Sequence, residues 1–139
     1  FLAVVADKHS RRIAGWALRR RRDVSLTLAA LRRATHQRRP HPGLVFHSDR
    51  GIEYAAEAYR ESLCEHGIVQ SMNRPARMND NAHMESFFHS MKAELNHKLD
   101  VATDAKLRAV ITRYIDYYNE RRGHTSLAHL SPAAFEALR

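Results

Sequence analysis

Cysteine occurs once in the 139 residues, at Cys64. A single thiol excludes an internal disulfide and any zinc site built from paired cysteines, and it fits a reducing compartment. His83-x-Glu85 resembles the opening of a zinc deaminase signature, but the later cysteine pair is absent. There is no His-Glu-x-x-His, so zincin chemistry is out. The five glycines are scattered singly, which excludes a glycine-rich phosphate loop, and no Gly-x-Ser-x-Gly elbow occurs. No apolar run approaches the roughly 18 residues of a membrane span. The apolar run Phe1–Ala6 is too short for the core of a signal peptide. The chain does not open on Met, and a longer parent polypeptide is the expectation. The chemistry left open is that of oxygen ligands, which suits magnesium or manganese.

What is present is the composition of a folded domain: 44% hydrophobic and 27% charged residues. The length allows one domain with a real core. The formal net charge is +8 with ten histidines uncounted, which points to an acidic partner, most often nucleic acid. The excess is unevenly placed. Residues 1–49 hold eleven Lys/Arg and three Asp/Glu, while residues 50–139 hold twelve of each. A solvated face is the alternative reading of the Arg19-Arg20-Arg21-Arg22 run.

Periodicity gives the order of elements. Phe1–Ala6 and Arg12–Leu18 read as two strands joined tightly, hence antiparallel. Asp23 can cap a helix running to about His36, ended by Pro40, Pro42 and Gly43. Leu44–His47 is a third strand, followed by a turn. Residues 55–66 read as one helix and Ile68–Met72 as a strand. Asn73–Asn81 reads as a loop. Ala82–His97 is the clearest helix, with Met84, Phe87, Phe88, Met91 and Leu95 at helical spacing. Thr103 can cap a helix to about Asn119, and Ser131-Pro132 opens a short last one. The pattern is α/β, helices covering a mixed sheet.

Two carboxylates stand out. Asp49 lies just past the end of a short strand, where open α/β sheets place ligand and catalytic groups; an Asp there is equally a turn residue. Glu85 sits at the edge of its helix's apolar stripe. His89, Lys92 and Asn96 share its line, which is equally an ordinary exposed face.

Thirty-five residues separate Asp49 from Glu85. With that spacing, five blocks resemble the retroviral-integrase-type catalytic core, specifically transposases of bacterial insertion sequences. They are FLAVVADKHSRRIAGWAL, GLVFHSDRGIEY, EHGIVQSMNRP, DNAHMESFFHSMKAEL and YIDYYNERRGHTSLAHLSP, all in the family's order. The resemblance implies a ribonuclease-H-like fold, with residues 1–122 as the catalytic core and 123–139 as an extension. It implies phosphoryl transfer at DNA, by strand nicking and 3′-hydroxyl strand transfer. Two Mg²⁺ or Mn²⁺ ions, about 3.5–4 Å apart, would clamp the attacking and leaving oxygens. Asp49 and Glu85 would be catalytic metal ligands. Lys92, His89, Arg74, Arg77 and Arg50 would contact DNA, the two middle arginines from a mobile loop beside the site.

The family's first catalytic Asp lies on a strand before FLAVVA. Asp7 is no substitute, because it matches the family's Asp after the second strand and reads as a turn residue. The expectation is a sheet lacking its first, central strand, so that the FLAVVA and LVFH strands each keep an unpaired inner edge. No cleavage by the 139 residues alone is expected. Further expectations are DNA (element ends and target) as partner, a homo-oligomer in the active assembly, no membrane, and a bacterial cytoplasmic location with nucleoid association when bound to DNA. A non-catalytic DNA-binding remnant is the alternative.

Overall fold

The computed structural model describes residues 1–101 and 103–139. Two compact units make up the chain: Phe1–Val5 with Ala14–Ala82, and Ala6–Ile13 with His83–Arg139.

Strands β1 (Leu2–Ala6) and β2 (Ile13–Leu18) pair as a hairpin. The Arg19 N–H donates to the Phe1 carbonyl at 3.0 Å, and the Asp7 N–H to the Arg12 carbonyl at 2.8 Å, so the pair is antiparallel. Asp7 serves the turn: its Oδ1 accepts from the His9 N–H at 2.8 Å and the Ser10 N–H at 3.1 Å. Helix α1 (Val24–Arg38) starts at Asp23, whose carboxylate accepts from the Leu26 N–H at 3.2 Å. It buries Leu26, Leu28, Ala30, Leu31 and Ala34. Gly15 allows β2 to lie directly on α1, because a Cβ there would collide with the Ala30 carbonyl oxygen and the Ala34 nitrogen.

Strand β3 (Val45–Ser48) is followed by α2 (Ile52–Ala55), α3 (Glu57–Glu65) and β4 (Val69–Met72). β4 pairs parallel with β3, in the register Val45↔Val69 to Ser48↔Met72. A parallel pair needs a crossover of this length, which α2 and α3 supply. Leu28, Leu31, Tyr59, Leu63 and Ile68 form the core beneath it, with Val24, Phe46 and Tyr54 packed against them.

The helix expected over residues 55–66 is α3, and a separate short helix, α2, precedes it. Ala56 takes an extended conformation (φ −60°, ψ 140°) that breaks the hydrogen-bond ladder between α2 and α3. The four strands form two separate two-stranded sheets among the described residues. This agrees with the expectation that β1 and β3 each keep an unpaired edge.

The second unit is built on α4 (Ala82–Leu95), α5 (Asp104–Glu120) and the short α6 (Pro132–Glu136). α4 stops two residues earlier than its apolar spacing suggested. Asn96 turns into the left-handed region (φ 46°), and a 3₁₀ turn follows over Asn96–Leu99. Thr103 and Ser131 cap α5 and α6 as expected, accepting from Lys106 N–H and Ala134 N–H at 3.2 Å each. Phe87, Met91 and Leu95 of α4 and Ile111, Tyr114, Ile115 and Tyr118 of α5 are buried. Phe87 meets Tyr118 edge-on at 5.0 Å between ring centres.

Asn119 is buried and clamps the chain 106 residues away. Its Oδ1 accepts from the Ile13 N–H at 2.8 Å, and its Nδ2 donates to the Ile13 carbonyl at 3.0 Å. Removing the amide leaves two backbone groups without partners. Asn119→Ala is expected to lower stability by about 2–4 kcal/mol in urea denaturation, against about 0.5 kcal/mol or less for the exposed Arg113→Ala.

His124 packs edge-on to Tyr118 at 4.8 Å, and its buried Nε2 has no hydrogen-bond partner. Burial, then the charges of Arg122 and Arg11, push its pKa below the ordinary histidine value. The unfolded chain therefore binds the proton more readily, so stability held above about pH 6.5 is lost as pH falls. The melting temperature should drop between pH 7 and pH 5.5, and drop less in His124→Phe. Equal drops in both proteins would contradict this.

Candidate active site

Asp49 follows directly on β3 and is half-buried. Its Oδ1 accepts from the Gly51 N–H at 2.7 Å. This Asx turn holds the carboxylate while leaving Oδ2 out of that bond. A Cβ at Gly51 would stand 3.0 Å from both Asp49 Oδ1 and Glu53 Oε2, so a side chain there would press on both carboxylates. Glu53 is buried, and its Oε1 accepts from Arg22 Nε at 3.1 Å. That hydrogen bond and the nearby carboxylates raise the pKa of Arg22. The site thus carries a second acid beside Asp49, already paired with a cation.

Asn73 ties this turn to the loop after β4. Its N–H donates to the Ser48 carbonyl at 2.9 Å, one step beyond the β3–β4 ladder. Its carbonyl accepts from Arg50 Nε at 2.7 Å, and its Oδ1 accepts from His47 Nε2 at 2.7 Å. That His47 tautomer leaves Nδ1 to accept from the Ser71 hydroxyl, 2.9 Å away. The loop is then closed on itself. Asp80 accepts from the Arg74 N–H at 3.0 Å, from Arg74 Nε at 3.1 Å and from the guanidinium tip at 2.8 Å. The Arg74 hydrogen bonds hold the Asp80 carboxyl far below the usual carboxylate range. Within the region read as loop, Met78–Asn81 forms a 3₁₀ turn, begun by the exposed Arg77.

Glu85 lies in the first turn of α4 and is exposed, as are His89 and Lys92 at four and seven residues on. The helix buries Phe87, Met91 and Leu95 instead. Glu85, His89 and Lys92 therefore share the polar line expected of them.

Among the named site residues, Arg50 follows Asp49 in the same turn and binds Asn73, and Glu85, His89 and Lys92 gather on α4. Arg74 spends its Nε and one terminal nitrogen on Asp80. The pairings Arg22–Glu53, His47–Asn73 and Arg74–Asp80 went unread in the sequence. A polar residue four positions after Asp49 was the only local signal for Glu53. Asp49 and Glu85 are hard oxygen donors, which fit a magnesium-type cation. No cluster of three or more His, Cys, Asp or Glu that could hold a metal occurs among the described residues.

Two integrase core domain profiles match the sequence, one over residues 1–78 and the other over 66–132. The chain belongs to the integrase core domain family. Among curated relatives of this integrase core chain, the transposase for insertion sequence element IS904 of Lactococcus lactis is 37% identical over 98% of the chain. Transposase InsF for insertion sequence IS3A of Escherichia coli is 36% identical over the same share. The chain spans 54% and 48% of their lengths, about half.

Solved structures agree on the fold. The HTLV-2 integrase catalytic core domain in complex with magnesium superposes with a TM-score of 0.75 at 16% identity, covering 96% of this chain and 82% of that one. The BIV integrase catalytic core gives 0.70 at 16% identity, covering 99% and 85%. The integrase core chain thus has the ribonuclease-H-like fold that its sequence blocks implied.

The Arg74–Pro75 bond resists trypsin, so Arg77 is the loop's own cleavage point. Asp80→Asn should speed cleavage after Arg77 several-fold while leaving the melting temperature within a few degrees. Unchanged cleavage would show that the Arg74–Asp80 clasp does not hold the loop.

Proposed function

We propose that the chain is the catalytic-core portion of a bacterial insertion-sequence transposase, acting on DNA by metal-dependent nicking and 3′-hydroxyl strand transfer. The observation that carries this reading is 36–37% identity to insertion-sequence transposases along 98% of the chain. On this reading residues 1–122 are the core and 123–139 its extension.

Asp49 and Glu85 are the proposed metal ligands. A divalent cation, two in the complete site, would supply charge neutralisation at the transferring phosphate and lower the pKa of an attacking water or hydroxyl. The chain's own residues do the positioning. The Gly51 N–H orients the Asp49 carboxylate toward one direction of attack. Glu85 stands free in the first turn of α4, where the helix's positive end favours a carboxylate. Lys92 is a point charge for a backbone phosphate, and the His89 ring adds a donor. Arg50 uses Nε on Asn73 and offers its terminal nitrogens to phosphate. Arg77 is the exposed cation of the loop, and Arg74 becomes available to DNA as its hold on Asp80 is exchanged. These contacts supply affinity and leave sequence choice to other groups. DNA, as element ends and target, is the partner, and a homo-oligomer is the active assembly. The location is bacterial cytoplasm, on the nucleoid when DNA is bound.

The test is strand transfer by the polypeptide at the full length of its curated relatives, using a pre-cleaved duplex end and Mg²⁺. Asp49→Asn and Glu85→Gln should each lower the rate by about 10³-fold or more with folding kept. A non-catalytic DNA-binding remnant predicts no product from any variant and binding indifferent to Mg²⁺. Full activity in either variant would remove that carboxylate from the mechanism.

A further inference from the structure

From Val24 to Ser48 the chain contains no Asp or Glu, yet it holds Arg32, Arg33, Arg38 and Arg39 and three histidines. The back half of α1 carries most of this charge. Its inner face is anchored by Leu28, Leu31 and Ala34 in the core, so its outer face is a rigid platform. On that face Arg32, Arg33, His36, Gln37 and Arg39 line one open cavity of about 840 Å³. All five are exposed.

Arg32, His36 and Arg39 follow one another at four and three residues and so form a row along the helix. Arg33 is held in place beside it. Its NH1 donates to the Trp16 carbonyl at 2.7 Å, and its guanidinium lies 5.6 Å from the centre of the Trp16 ring.

A favourable interaction with the helix dipole is the bland account of basic residues at a helix C-terminus. That effect fades beyond the last turn, so it covers His36, Arg38 and Arg39 but not Arg32 and Arg33. Arg39 argues further. It caps α1 in the left-handed conformation (φ 45°), directly before Pro40. Glycine or asparagine is the usual residue there, because other side chains adopt this conformation at a cost. An arginine in that place has its side chain, and not its backbone, to recommend it.

We propose that this exposed face of α1 binds the phosphate backbone of duplex DNA, independently of base sequence and of divalent metal, as a contact surface separate from the carboxylates. The proposal rests on the reading that the chain acts on DNA and adds a second place of contact. Guanidinium forks match phosphate oxygens in pairs. The row from Arg32 to Arg39 rises about 10 Å, which is about three base-pair steps of duplex. The cavity is open and lined by flexible cations, which suits a polyanion running past it better than an enclosed small anion.

The experiment is fluorescence anisotropy of the 139-residue chain with a labelled duplex of arbitrary sequence, in EDTA, between 50 and 300 mM salt. Arg32→Gln with Arg39→Gly is expected to weaken binding by about tenfold or more and to reduce the slope of log K against log salt by about 2. Arg39→Gly alone should hold or raise the melting temperature, which separates lost binding from lost folding. Lys106→Gln with Arg113→Gln on α5 removes the same charge and should stay within about threefold of wild type. If the α1 pair binds duplex with wild-type affinity and slope, the proposal is overturned, and the surface is then left to an acidic protein. If the wild-type chain binds no duplex at all, the DNA reading falls and this inference with it. Equal losses in the α1 and α5 pairs would also overturn it, since net charge alone would then explain binding.

Discussion

The hydrogen bond from the Asn73 N–H to the Ser48 carbonyl, 2.9 Å long, is the constraint from which the site side of the first unit follows. It extends the parallel β3–β4 pairing one step past the last paired residues. The turn bearing Asp49 and the loop beginning at Asn73 therefore start side by side. His47 and Arg50 bind the same residue from the β3 side, so Asn73 has its N–H, its carbonyl and its side-chain oxygen all engaged. A loop anchored this firmly at its root can vary further out without disturbing Asp49. The Arg74–Asp80 clasp adds a second closure, one that a competing anion could open.

Two sets of cations differ in their surroundings. Arg12, Arg22, Arg74 and Arg122 are paired with carboxylates and act structurally in the folded chain. The exposed pairs among them contribute little to stability. Arg22 differs, because its partner Glu53 is buried and would be costly to leave unpaired. The second set, Arg32, Arg33, Arg38 and Arg39, lies in a stretch that itself contains no Asp or Glu. These are four of the eleven Lys/Arg of residues 1–49.

Much of this was legible in the residues. The caps Asp23, Thr103 and Ser131 are local signals and sit where they were read. The stripe of Phe87, Met91 and Leu95 correctly set Glu85, His89 and Lys92 outward, because helix geometry alone decides that. The short α2 and the break after it were not legible, since Ala56 is a good helix former whose extended backbone no local pattern announces. Asn96 ended α4 by a backbone conformation that no apolar spacing reveals. The polar pairings joining Glu53 to Arg22 and Asn119 to Ile13 span 31 and 106 residues, beyond the reach of any local pattern. In the proposed site, Asp49 and Glu85 stand out by type and spacing, while the Gly51 N–H that binds Asp49 does not.

The central claim is that Asp49 and Glu85 are metal ligands, and paramagnetic broadening by Mn²⁺ in NMR spectra of the ¹⁵N-labelled chain tests it most directly. The account predicts that substoichiometric Mn²⁺ selectively broadens the amide signals of Arg50 and Gly51 and of Ser86. It predicts that Asp49→Asn removes the first effect and Glu85→Gln the second. Broadening confined to histidine-bearing segments elsewhere, or unchanged in these variants, would contradict it.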